Sequence, residues 1–389
     1  MSVKNICIIT DRYPTHDYPV NTFLDQLVCQ FADMGINCTV IAPYSPILDK
    51  LKKKKYNPKR GWTKITKKGS YINVICPRIF YITGKKVGFF NFAELYQRRF
   101  TTAVIKEIKK SEIDYDVIYS HFIFPSGLAA AKVGEVLKKP VFIAYGESSI
   151  KNATSRFTPS SISSRLRNVT GIVAVSSKNR KELIENRIVD SELIRVFPNA
   201  IDSSTFYKMD KAETRKQLGI HNDAFIVAFV GSFIHRKGSL RLSDAIQKLQ
   251  GVNSFFIGSG EFEPTCDGIL FSGRLPHNEI AMYLNAADVF VLPTLAEGCC
   301  NAIVEAMACG LPVISSNLSF NFDILDETNS IMVNPNDIDE ISSAIETLKD
   351  NCEMRKRLSE GALNRADELR IEKRAEAIIN YIEEKIVNE

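Results

Sequence analysis

The chain has 389 residues, 45% of them hydrophobic and 24% charged, with a formal net charge of +5. That length points to two domains, each able to bury a core without help from metal or disulfides. The nine cysteines are scattered, Cys299 and Cys300 are adjacent, and no pair has zinc-ligand spacing. They read as reduced thiols in a reducing compartment.

In chain order, short β-branched runs alternate with amphipathic stretches. The first half predicts strands at Ile6–Thr10, Cys38–Ala42, Asn73–Cys76, Val117–Ser120, Val141–Ala144, Ile172–Val175 and Ile194–Phe197. Helical patterns lie between them at Thr22–Met34, Phe92–Lys110, Gly127–Leu137 and Lys178–Asn186. The pattern restarts after Pro198, with strands at Phe225–Val230, Ser254–Ile257, Ile269–Phe271, Val289–Leu292, Val313–Ser315 and Ile331–Val333. Helices are predicted at Leu240–Leu249, Asn278–Asn285, Ala302–Cys309 and Ile338–Leu348, followed by a charged helical tail after Asn351. This alternation predicts α/β architecture with doubly wound, mostly parallel sheets. The expected division is 1–200 and 201–371, with a C-terminal helix at about 372–389 packing back on the first domain.

The net charge conceals an asymmetry. Residues 1–200 hold about 32 Lys and Arg against about 16 Asp and Glu, so the remainder is acidic. A basic half suggests an anionic partner for that half. The stretch Lys50–Lys68 carries about ten of these cations together with Trp62. It reads either as a solvated basic loop or as a contact for anionic lipid or a phosphorylated acceptor. Lys85, Lys86, Phe89, Phe90 and Phe92 read either as an interfacial segment or as core aromatics beside surface lysines. Nothing resembles a nucleic-acid-binding motif, so no nucleic-acid partner is expected. No apolar run is long enough to span a bilayer, and no signal peptide is legible. The expected location is cytoplasmic, or peripheral on the inner face of a membrane.

The most informative string is PTLAEGCCNAIVEAMACGLPVISS, Pro293 to Ser316, which opens at the end of the strand VFVLP. Gly298 permits close backbone approach to a ligand, and Asn301 is expected to cap the next helix. That helix N-terminus offers backbone N–H groups to an anion. Glu297 lies in the loop and Glu305 lies eight residues on, slightly over two helical turns. A carboxylate at that place accepts the paired hydroxyls of a sugar or ribose. The second string is GSFIHRKGS, Gly231 to Ser239, directly after FIVAFV. Glycines bracket Arg236 and Lys237 at a strand-to-helix turn, where two cations suit a diphosphate.

Together these strings resemble the retaining glycosyltransferase family 4, whose fold is GT-B, with two Rossmann-like domains facing across a cleft. VFPNAIDSSTF is similar to the family's interdomain string at Pro198, Asn199, Asp202 and Phe206, and FSGRLPHNEIAMYLNAADVFVLP is similar to the stretch before the donor loop. Glu297, Glu305 and EAMACGLPV match the family's glutamate pair and its continuation. The resemblance implies transfer of a sugar from a UDP- or GDP-sugar to an acceptor hydroxyl in polysaccharide or lipid-linked glycan assembly. It implies that Glu297 faces the donor sugar and Glu305 holds the ribose. Arg236 and Lys237 would stabilise the diphosphate, with Gly231 and Ser232 beside it. Backbone N–H groups of Cys299, Cys300 and Asn301 would meet the sugar or phosphate, and Gly273, Arg274 and Leu275 would flank the base. No Asp-x-Asp motif is placed to hold a metal, so neither metal nor other cofactor is implied.

Three places depart from the family. Ser232 stands where an arginine is common, leaving that charge to Arg236. DRYPTHDYPVNTF has Val20 and Asn21 where glycines are common. Tyr145-Gly146 replaces a histidine-glycine pair, so Tyr145, Glu147, His121 and Asn21 are the acceptor-side candidates, with His121 equally readable as structural. The rival readings are a nucleotide-sugar epimerase or hydrolase and a non-catalytic sugar-nucleotide-binding protein. A nicotinamide dehydrogenase is disfavoured, because no G-x-G-x-x-G follows a strand and opens a helix.

Overall fold

The structure is a computed structural model that describes residues 2–51, 56–81, 83, 86–87 and 90–387. The chain divides into two compact units, one of residues 1–197 and 374–389, the other of residues 198–373. The first crossing falls just before Pro198 instead of after Ala200. The second falls inside the last helix, Ile371–Val387.

In the first unit the described strands are β1 (Asn5–Ile9), β2 (Asn37–Ile41), β3 (Gly61–Ile65), β4 (Tyr71–Ile75), a short pair β5 (Lys86–Val87) and β6 (Phe90–Asn91), then β7 (Val117–His121), β8 (Val141–Tyr145), β9 (Gly171–Ala174) and β10 (Ile194–Val196). The main sheet has the order β10-β9-β8-β7-β1-β2-β4-β3. All its neighbours are parallel except β3 and β4. Strands covered on both faces take apolar residues at nearly every position. Every residue of β7 (VIYSH) and β8 (VFIAY) is accordingly buried. The order reverses between β1 and β7, so the loops after these strands diverge and leave a crevice at their carboxyl ends.

One expectation is corrected in this unit. Lys50–Lys68 is not one loop: it contains the end of helix Pro46–Leu51 and the edge strand β3. Trp62 lies on β3 opposite Val74 and is half-buried. Lys52–Lys55, Lys85 and Phe89 lie outside the described residues. Helix Leu128–Leu137 packs tightly on the sheet because Gly134 has no side chain; a Cβ there would come within 2.1 Å of Val141. The C-terminal helix completes this unit. Tyr381 donates to the Leu193 carbonyl at 2.7 Å, and its ring meets Phe142.

The second unit carries β11 (Phe225–Val230), β12 (Val252–Ile257), β13 (Ile269–Gly273), β14 (Val289–Leu292), β15 (Val313–Ser316) and β16 (Ser330–Val333). They form one sheet in the order β13-β12-β11-β14-β15-β16, parallel throughout. The order reverses between β11 and β14. The two strings singled out in the sequence, after β11 and after β14, therefore leave the sheet on either side of its switch point.

Candidate active site

The carboxyl-end loops of four adjacent strands in the second unit are laced together. Gly231 N–H donates to the Ile257 carbonyl at 2.9 Å, and Phe233 N–H to that of Ser259 at 2.9 Å, tying the β11 loop to the β12 loop. Gly258 makes that approach possible: a Cβ there would lie 1.8 Å from the Gly231 carbonyl oxygen. Gly258 N–H donates to the Gly273 carbonyl at 2.8 Å, and Arg274 donates to the Ser259 hydroxyl, which brings in the β13 loop. On the other side, Leu295 N–H donates to the Arg236 carbonyl at 2.8 Å. Arg241 donates to the carbonyls of His235 (2.8 Å) and Pro293 (2.7 Å), stapling the β11 loop to the β14 loop. The glycine that takes the left-handed backbone is Gly238 (φ +83°), whereas Gly231 has room for a Cβ. The expected bracket of glycines thus acts through Gly238.

Glu297 is the convergence point. Its Oε1 accepts from Arg236 (2.7 Å), from Lys237 (2.6 Å) and from the Thr294 hydroxyl (2.9 Å). Arg236 also donates to the Ala296 carbonyl. Burial opposes the Lys237 ammonium, but the charge and hydrogen bond of Glu297 favour it, and its pKa is raised. The Cys300 thiol lies 3.8 Å from that ammonium, and burial pushes its own pKa up, so it stays neutral. Two cations around one buried carboxylate leave a net positive charge, the polarity that suits a diphosphate.

Asn301 is not the cap of its helix. Cys300 occupies the N-cap and Asn301 opens Asn301–Ala308. The Asn301 side chain instead accepts from Asn199 Nδ2 at 2.7 Å. Asn199 also donates to the Cys299 carbonyl at 2.9 Å, and its own N–H approaches the Cys299 thiol at 3.4 Å. This fixes the backbone at Cys299–Asn301, where the first N–H groups of a helix have no partner within it. Glu305 is buried, and its Oε1 lies 2.9 Å from Nε2 of His277. Ser232 is exposed and Leu275 half-buried.

The acceptor-side candidates belong to the first unit and cluster at the β1, β7 and β8 carboxyl ends. Asn21 adopts φ +52° before helix Thr22–Asp33 and donates to the Arg12 carbonyl at 3.0 Å. Asparagine tolerates the left-handed region, which is why it substitutes for glycine there. His121 is buried between the rings of Phe23 and Phe122, at 4.8 and 4.3 Å, and burial pushes its pKa down to about 3. Tyr145 is fully buried and spends its hydroxyl on Glu182 at 2.7 Å. Glu182 is held in turn by Ile150 N–H and Lys178, so Tyr145 belongs to a structural network. Glu147 differs. One carboxyl oxygen accepts from Asn152 at 2.5 Å; the other is buried with no partner among the described residues. Burial raises its pKa to about 7, and the nearby Glu182 and Asp11 add to the rise.

The family model described as Glycosyl transferases group 1 matches residues 210–365, and that described as Glycosyltransferase Family 4 matches residues 20–205. TuaC of Bacillus subtilis (strain 168), a glycosyltransferase provisionally assigned to teichuronic acid biosynthesis, is 30% identical over 352 residues, covering 87% of each chain. The chain belongs to the group 1, family 4 glycosyltransferases. Solved structures agree on the GT-B fold. Sucrose-phosphate synthase from Thermosynechococcus elongatus superposes with a TM-score of 0.75 at 19% identity, over 99% of this chain and 100% of that one. HepE of Anabaena in complex with UDP and glucose gives 0.69 at 16% identity, over 97% and 99%.

This glycosyltransferase moves a sugar from a nucleotide-sugar donor to an acceptor. Sequence reasoning missed several residues that shape the glycosyltransferase's candidate donor site. Thr294 stands in the quoted string, but nothing local marks its bond to Glu297. Arg241 sits 52 residues from Pro293, and His277 sits 28 residues from Glu305. Such long-range pairs are invisible to spacing arguments.

Proposed function

We propose that the chain is a retaining hexosyltransferase that uses a UDP- or GDP-sugar, with the second unit binding the donor and the first unit the acceptor. The observation that carries this reading is the convergence of Arg236, Lys237 and Thr294 on Glu297 at the switch point of the second sheet. As the bond from anomeric carbon to phosphate breaks, negative charge builds on the leaving diphosphate. Arg236 and Lys237 stabilise that charge, joined by the backbone N–H groups of Cys299, Cys300 and Asn301. Glu297 then orients the sugar hydroxyls. Glu305 takes the ribose, and Gly231, Ser232, Gly273, Arg274 and Leu275 border the phosphate and base. The acceptor oxygen attacks from the face the diphosphate leaves, and its proton passes to that diphosphate, so the anomeric configuration is kept. On the acceptor side, Glu147 with its unpartnered oxygen is the group that meets an acceptor hydroxyl, with Asn21 and His121 shaping the crevice. Tyr145 acts only through Glu182.

The acceptor in this reading is a glycan or a lipid-linked glycan in surface polysaccharide assembly. The first unit, basic overall, docks peripherally on an anionic membrane at its cytoplasmic face. Support comes from Leu51, Ile65 and Tyr71, exposed large apolar side chains in the same stretch of sequence as Lys59, Arg60 and Lys68, with Ile65 and Tyr71 paired across β3 and β4. No helix among the described residues is long and apolar enough to cross a membrane.

The decisive experiment is thermal stability against a panel of nucleoside diphosphates and their sugar conjugates. A ligand at about a hundred times its Kd adds about 2.7 kcal/mol. Stabilisation by one base series, lost in Lys237→Ala and Glu305→Ala, is the expected outcome. No shift with any of them overturns the donor-site reading.

A further inference from the structure

Glu305 is the member of the donor site whose surroundings go furthest beyond the roles given above. Its partner His277 is the first residue of helix His277–Ala286, and its side chain is 46% exposed against 10% for that of Glu305. The imidazole is gripped on another side by Phe206, edge to face at 5.0 Å, itself buried. Among the described residues, the other charged group acting on the ring is Asp202. Its carboxylate is occupied by Ser204 N–H (2.9 Å), Ser204 Oγ (2.6 Å) and Thr205 Oγ1 (3.0 Å). On the Glu305 side, Cys309 closes the helix with a thiol that burial pushes up to about 12, so it carries no charge. Glu279, on the same helix as His277, is exposed. Among the described residues, Glu305 is thus held by one hydrogen bond, from a ring packed edge to face on Phe206. Each carboxylate oxygen has two acceptor sites, so one on Oε1 and two on Oε2 are left for ribose hydroxyls.

We infer that His277 is a positioning residue for donor binding: it fixes the Glu305 carboxylate for the ribose diol and makes donor affinity depend on pH through the charge of the imidazole. This rests on the reading of Glu305 as the ribose carboxylate. The hydrogen bond to Glu305 raises the His277 pKa above the usual value, against the opposing effect of burial. Below that pKa the pair is imidazolium with carboxylate and carries no net charge. Above it the pair is an anion in a site that receives a diphosphate. Donor and nucleoside diphosphate therefore bind more tightly on the acid side, and affinity falls as pH rises through the His277 titration.

The test is calorimetric titration of the full chain with UDP and GDP and with their 2′,3′-dideoxy counterparts, across the neutral pH range. Wild-type protein is expected to prefer the ribo form about tenfold or more and to lose affinity as pH rises. His277→Phe keeps the ring packing on Phe206 but should lose most of the hydroxyl preference and the pH dependence together. His277→Gln keeps a donor without a charge, so the preference should return without the pH dependence. A hydroxyl preference and pH slope unchanged in His277→Phe overturn the inference. Glu305→Gln separates the two levels. If it abolishes the preference while His277→Phe keeps it, only the role of His277 fails; if it too leaves the preference intact, the ribose reading of Glu305 fails.

Discussion

Glu297 holds Arg236 and Lys237 through a single carboxylate oxygen, and this makes its removal informative in two directions. Glu297→Gln removes the negative charge from the cation pair, so free nucleoside diphosphate should bind several-fold more tightly. At the same time kcat should fall about ten- to a thousand-fold, the usual cost of losing a contact used in the transition state. Equilibrium binding of the product beside steady-state kinetics checks both; a parallel loss of affinity and rate would mean that Glu297 is merely structural. In the first unit, two buried titratable groups pull stability in opposite senses. Folding raises Glu147 from 4.5 to about 7, so its linked stability is full below 4.5 and is lost as pH rises through 7. Folding lowers His121 from 6.5 to about 3, so its linked stability is present above 6.5 and is lost as pH falls toward 3. Shifts of this size correspond to about 3 kcal/mol for Glu147 and about 5 kcal/mol for His121. Melting temperatures across this range should show Glu147→Gln flattening the neutral limb and His121→Gln the acid limb. Slopes identical to wild type would contradict both assignments.

At the level of elements, the site depends on how closely backbone segments approach. Gly238 caps helix Ser239–Gln247 in a left-handed conformation, and a Cβ there would lie 2.6 Å from the Pro293 carbonyl oxygen. Gly238→Ala therefore strains the backbone and pushes the β11 loop from the β14 loop, at a cost of about 2 kcal/mol or more. Its expected signature is a lower melting temperature together with weakened donor binding, read by thermal shift with and without nucleotide. Strand β3 shows why one element escaped the sequence reading. Its residues GWTKI alternate between exposed and half-buried, and it pairs only with β4 at the edge of the sheet. An edge strand needs no continuous apolar run, and lysines are common on such edges. Lys64 within it and the cations flanking it made it look like loop. The interior strands β7, β8, β11 and β14 were legible because burial on both faces leaves only apolar choices at nearly every position.

On the scale of the whole chain, the last helix is built into the first unit. Ala375, Ile378, Ile379, Tyr381 and Ile382 are buried, and Arg195 pairs with Glu384 through two hydrogen bonds of 2.8 and 2.9 Å. Burying one large apolar side chain contributes about 1.5–3 kcal/mol, so losing several exceeds the usual margin of about 5–15 kcal/mol. A chain that stops before Ile371 should fail to fold its first unit, seen as loss of that unit's thermal transition. Gly171→Ala is the milder probe, because its Cβ would lie 2.6 Å from the Tyr381 hydroxyl and 2.7 Å from Phe142. It should lower the stability of the first unit by about 1–3 kcal/mol.

The sequence by itself determined the two α/β halves, the near position of the boundary and the loop-to-helix course of the string that carries Glu297 and Glu305. Each of these is written locally, in apolar runs, in a restart of the pattern after Pro198 and in a spacing within one loop and helix. Tertiary structure alone decided the partners. The order β13-β12-β11-β14 brings loops from distant parts of the chain side by side, and that order sets Arg236 and Lys237 on Glu297 and Arg241 on Pro293. Packing likewise sets His277 on Glu305 and hides Tyr145 behind Glu182. Local patterns encode which face of an element is buried; they carry no record of which element lies next to it.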